Sequence, residues 1–159
     1  EPKEEDVMDQ PPRDPKANII NKDILKNVLF VAVFMAAGTI WVFTSELNGG
    51  DIHRAQTLGF TTLAMFQIFN ALNCRSRDKS VFKIGLFTNK YLVAAIAASI
   101  ALQFTATEVA FFQMALGTVE LSLHDWSTIF AVSSTVFFAE EIRKLIMKKI
   151  KAKTTLSRE

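Results

Sequence analysis

The chain has little of what builds small stapled or metal-held folds. Its one cysteine, Cys74, excludes an internal disulfide and any cysteine-based zinc site. Its four prolines are confined to positions 2, 11, 12 and 15, inside a polar opening stretch. No Gly-rich phosphate loop is present, no aspartate stands in a phosphorylation motif, and no Ser/His/Asp set is suggested by spacing. Nothing in these residues can hydrolyse ATP. A net charge of +2 is too small to point to nucleic acid. There is no basic-then-apolar secretory leader, and the first methionine is Met8. The expectation is a piece of a longer polypeptide.

What is present is apolar: half of the 159 residues, with 14 phenylalanines. That fraction alone also suits a soluble domain, so the distribution decides. Charge is gathered into short blocks separated by stretches almost free of it, as expected of a chain whose solvent alternates between water and lipid. Residues 1–23 are polar, Pro-rich and read as a loop. Asp23 is the expected cap of an apolar helix over about 24–44; twenty residues at roughly 1.5 Å each span the ~30 Å of a hydrocarbon core. The turn signal Asn48-Gly49-Gly50-Asp51 precedes a second apolar helix over 55–73. A third is expected over 91–107, with a re-entrant or interfacial segment as the alternative, because Glu108 interrupts its extension. Ser122-Leu123-His124-Asp125 resembles a capping box and opens a fourth helix over 125–147, followed by a basic tail over 148–159.

Lysine and arginine alternate strictly between these connections. Residues 1–27 hold five, 45–54 one, 73–90 five, 106–125 none and 143–158 seven. The positive-inside rule reads this as four spans with both termini cytoplasmic. The expected fold is all-α, a polytopic bundle of four transmembrane helices, and the bilayer is an expected partner. No inverted internal repeat of the transporter kind stands out.

Polar groups inside spans carry a cost and are weighed one by one. Gln67, Asn70 and Asn73 recur every three residues on one side of the second helix. Gln67 admits two readings: a carboxamide that coordinates a cation weakly enough to release it, or a hydrogen bond to a neighbouring helix. For Asn70 and Asn73 packing or capping is favoured. Ser99, Gln103 and Thr107 read as packing contacts, Glu108 as a solvated boundary residue, and Glu140 with Lys144 as an i,i+4 ion pair, with contact to another cytoplasmic element the alternative. His53 and His124 lie on outer loops, where two lone histidines do not suggest a metal site.

Four motifs then carry a resemblance. Met8-Asp9-Gln10-Pro11-Pro12-Arg13-Asp14-Pro15 resembles the cytoplasmic loop between the sixth and seventh membrane helices of type II P-type cation ATPases. Phe66-Gln67-Ile68-Phe69-Asn70-Ala71-Leu72-Asn73-Cys74-Arg75-Ser76 is similar to the end of their eighth helix. Gly117-Thr118-Val119, Leu121-Ser122-Leu123 and Asp125-Trp126 resemble the last outer loop, and Glu140-Glu141-Ile142-Arg143-Lys144-Leu145 the close of the tenth helix. The likeness covers about residues 1–149, in order.

The resemblance implies the carboxy-terminal membrane region, helices seven to ten, of a calcium-pump-like ATPase. It implies a chain without catalytic residues, inactive alone, that supports the transport helices. Asp9, Pro11, Pro12 and Arg13 would contact the phosphorylation domain and couple it to the membrane. Gln67, with Asn70, would lie on the cation pathway, and no resident cofactor is expected. The parent pump would use ATP and Mg2+, its other helices and cytoplasmic domains would be the partners, and a multi-pass protein of the plasma membrane is expected. Gln10 departs from the family's arginine, and Gln67 stands where calcium pumps of the reticulum type carry a glutamate ligand, which puts a second calcium site of that type in doubt. The rival is a freestanding four-helix subunit or regulator without ATPase activity; a decayed gene product is the third reading.

Overall fold

The computed structural model describes residues 22–76, 80–85 and 87–156. Among them every regular element is a helix: α1 Lys22–Leu47, α2 Ile52–Asn73, α3 Val81–Ile84, α4 Lys90–Glu108, α5 Ala110–Leu116 and α6 Leu123–Leu156. The four long helices, α1, α2, α4 and α6, overlap the four stretches expected to be helical. Two of them, over Ile24–Leu47 and Lys90–Glu108, are long and apolar enough to cross a membrane by length and composition.

The boundaries differ from the sequence reading for local reasons. Asp23 falls inside α1, Lys22–Leu47, and not before it as a cap. Asp51 caps α2, its side chain accepting from the Arg54 backbone N–H at 3.0 Å. α4 runs unbroken through Glu108. α6 starts at Leu123 and continues past 147 to Leu156. Its capping box is complete: the Ser122 hydroxyl accepts from the Asp125 N–H, while the Asp125 carboxylate accepts from the Ser122 N–H at 2.8 Å.

Two short helices lie inside connections expected to be loops. Ser80 caps α3 by accepting from the Phe82 N–H. The apolar run Ala110–Leu116 forms α5, which stops where Gly117 takes a left-handed φ of 68° that a side chain would strain.

α2 is the central helix, with α1, α4 and α6 packed around it. One core layer joins Val42, Leu58, Met65, Leu121 and Ile129; a second joins Val31, Met35, Phe66 and Val136. Gly38 of α1 lets these helices approach closely, for a Cβ there would sit 2.6 Å from Phe66 Cζ on α2. The periphery is also apolar: Leu25, Leu29, Val33, Ile40 and Trp41 on α1 are all exposed. In water such surface would be a large uncovered patch.

Candidate functional site

With three helices around it, α2 keeps one uncovered stripe. Gln56, Phe60, Leu63, Gln67 and Cys74 are exposed and Asn70 is half-buried. Their spacing of three or four residues puts them on one face. Gln67 and Asn70 therefore share an open face, and neither carboxamide is engaged by another helix among the described residues. Asn73 behaves differently. It is buried, its Nδ2 donates to the Val136 carbonyl at 3.3 Å and its own carbonyl accepts from Lys144 Nζ at 3.2 Å. The packing role expected of these amides is thus seen at Asn73.

A carboxamide pair supplies only neutral oxygens, so it can contribute to a cation's shell but cannot complete it. Among the described residues no group of three His, Cys, Asp or Glu side chains could hold a metal ion. His53 and His124 are exposed. The loop residues Asp9, Pro11, Pro12 and Arg13 lie outside the described residues.

The stripe is held in place from both ends and from the middle. At one end Arg54 of α2 donates through Nε to Glu46 of α1 at 2.6 Å and through Nη2 to both Asp125 oxygens of α6, at 2.8 and 2.7 Å. The guanidinium is thus paired with a carboxylate from each of two other helices. Nearby, Glu108, expected to be a solvated boundary residue, is instead engaged. It is half-buried and accepts from the Leu121 N–H and the Trp126 indole, both at 3.4 Å, tying the end of α4 to the start of α6.

In the middle, Gln103 of α4 donates to the fully buried Thr61 hydroxyl of α2 at 3.0 Å, the packing contact expected of it. Thr107 is also buried, whereas Ser99 is exposed.

At the other end the expected Glu140–Lys144 pair is replaced by two i,i+3 pairs. Glu140 binds Arg143 at 2.6 Å and Glu141 binds Lys144 at 3.2 Å. The reason is tertiary: Lys144 turns toward the last carbonyl of α2, and Glu141 also accepts from the Val81 N–H at 3.2 Å. Glu141 thus reaches beyond its own helix to the connection between α2 and α4. Arg75 closes the same connection, donating to the Gly85 carbonyl and the Thr88 hydroxyl, each at 2.7 Å.

Sequence reasoning missed Arg54, Arg75 and the Lys144–Asn73 contact. The signal for Arg54 was its isolation: it is the lone basic residue between 45 and 54, flanked by Glu46 and Asp51.

Residues 1–146 match the family model described as "Cation transporting ATPase, C-terminus". The chain is 37% identical over 151 residues to Calcium-transporting ATPase 1 of Saccharomyces cerevisiae, covering 94% of the chain and 16% of the relative. It is 33% identical over 150 residues to Calcium-transporting ATPase type 2C member 2 of Rattus norvegicus, covering 93% and 16%. With Probable cation-transporting ATPase F of Mycobacterium tuberculosis the identity is 30% over 137 residues, covering 86% and 15%. The chain thus spans about a sixth of the length of these relatives. It belongs to the family of cation-transporting ATPase C-termini and corresponds to the carboxy-terminal region of a calcium-pump-like P-type ATPase.

Proposed function

We propose that this chain is the non-catalytic carboxy-terminal membrane domain of an ATP-driven cation pump, with calcium as the transported ion. In this reading α1, α2, α4 and α6 are four spans with both termini cytoplasmic, in the plasma membrane. The alternation of basic and base-poor connections supports the orientation. The uncovered apolar surfaces suit lipid and the remaining pump helices. Residues 1–23 couple the bundle to the phosphorylation domain, through Asp9, Pro11, Pro12 and Arg13. ATP and Mg2+ act on other parts of the pump.

One observation carries the site: the single open stripe of α2 holds Gln67 and Asn70, while the other sides of that helix are covered. An open polar face on a central helix is where further helices complete a cation's shell, with neutral carboxamide oxygens that release the ion again.

Two experiments test this. An immunoblot of source membranes against the 148–159 tail is expected to give a band several times larger than the 17.8 kDa of this chain. A band at 17.8 kDa would instead support a freestanding subunit or regulator. In the complete pump, Gln67→Ala is expected to weaken calcium activation of ATPase activity by about 2- to 13-fold, the loss of one neutral hydrogen-bonding or ligand contact. Unchanged activation in both Gln67→Ala and Gln67→Glu would remove Gln67 from the pathway.

A further inference from the structure

We propose that Glu141 and Lys144 of α6, acting through Asn73, are positioning residues that set the rotation of α2 and so aim Gln67 and Asn70 at the cation path. The inference rests on the pathway reading of Gln67.

A helix whose neighbours and lipid are equally apolar has no hydrophobic stripe to fix its rotation; polar contacts and close packing must do so. Near the Gln67 end of α2 the polar anchor is Asn73. At roughly 100° per residue, six residues carry Asn73 about 120° around the helix from Gln67. Holding Asn73 against α6 therefore turns Gln67 away from α6 and onto the open face. A rotation that moved Asn73 off α6 would carry Gln67 toward one of the covered sides.

The hold on Asn73 depends on Lys144. The Asn73 Oδ1 is buried without a partner, so its side chain is retained by Nδ2 alone, at 3.3 Å from Val136 O. The second contact is Lys144 Nζ on the Asn73 carbonyl, at the negative end of α2. Lys144 is aimed by Glu141, 3.2 Å away, and their side chains are only 1% and 8% exposed. Such a pair is dry, and removing one partner leaves an uncompensated charge, unlike an ordinary surface pair.

Glu141 reaches further. The same Oε1 accepts from the N–H of Val81, a fully buried residue of the cytoplasmic connection in this reading. Phe82 beside it stacks edge-on against Phe137 of α6, ring centroids 5.6 Å apart. One unbroken line of contacts thus runs from Val81 through Glu141 and Lys144 to Asn73 and the Gln67 face. Force on that connection would reach the polar stripe through it.

The test uses the complete pump in native membranes, with calcium as the probe ion and calcium-dependent ATPase activity as the readout. Lys144→Gln and Glu141→Gln are each expected to raise the half-activating calcium concentration by about 3- to 10-fold, with the maximal rate within about twofold of wild type. Lys144→Arg should restore most of the affinity. Adding Lys144→Gln to Gln67→Ala should produce no further loss, because both act through one contact. A fall in maximal rate at unchanged half-activation, or additive losses in the double variant, would overturn the proposal and leave a purely structural pair. Should Lys144→Gln fail to accumulate, the isosteric Glu141→Gln carries the same test. If Gln67→Ala shifts affinity and neither clamp variant does, only the clamp is overturned. If Gln67→Ala has no effect, the pathway reading falls and the clamp falls with it.

Discussion

Adding one methyl group to Gly38 should separate α1 from α2. An alanine Cβ would lie 2.6 Å from Phe66 Cζ, 2.8 Å from Cε2 and 3.3 Å from Val132 Cγ1. Ordinary contact begins at 3.4 Å, so the ring must retreat by about 0.8 Å. It has nowhere to go, because Phe66 is fully buried among Val31, Met35 and Val136. Overpacking of this kind costs about 1–3 kcal/mol, a factor of roughly 5 to 150 in the folded population. Gly59 supplies the control, since its Cβ would meet Phe43 at 3.5 Å, an ordinary distance. The assay is a reversible SDS titration of the chain in mixed micelles, followed by circular dichroism. Gly38→Ala should unfold at clearly lower SDS, Gly59→Ala near wild type, and Phe66→Leu should partly rescue Gly38→Ala. If Gly38→Ala stays within about 0.5 kcal/mol of wild type, the close approach of α1 to α2 is wrong.

Two further outcomes follow from the polar contacts. Gln103→Leu should loosen α4 from α2 by about 0.6 kcal/mol and at most about 1.7, the range for hydrogen bonds between membrane helices. A double-mutant cycle with Thr61→Val in the same titration measures it, and a coupling near zero would contradict the contact. Arg75→Ala removes its bonds to the Gly85 carbonyl and Thr88 hydroxyl. Trypsin cleavage after Lys83 should then quicken by about 10-fold, the opening expected from losing roughly 1.5 kcal/mol; an unchanged rate would mean that Arg75 does not hold the connection.

The helices were largely legible because their signals are local. A capping box needs four adjacent residues, and Ser122 to Asp125 supplies them. Apolar length is counted along the chain, which found all four long helices. Short helices were missed because α3 and α5 have four and seven residues, too few for a periodic pattern to rise above a loop. The i,i+4 rule named Glu140 and Lys144 as partners, but it describes isolated helices. Here a carbonyl 71 residues away drew Lys144 elsewhere.

The candidate site divides along the same line. The spacing of Gln67, Asn70 and Asn73 was plain in the sequence, but not that Asn73 would be buried while Gln67 stayed open. Interhelical register decides that, and a run of residues as apolar as its lipid solvent carries no stripe to announce which side faces inward. The sequence by itself determined where the chain is helical, how its charges alternate and which family it resembles, because those depend on near neighbours and composition. Only the tertiary structure decided that Arg54 joins Glu46 to Asp125, that Gly38 seats Phe66 and that Lys144 closes on Asn73. Each of these requires distant segments to meet at one particular rotation and height, which no local pattern records.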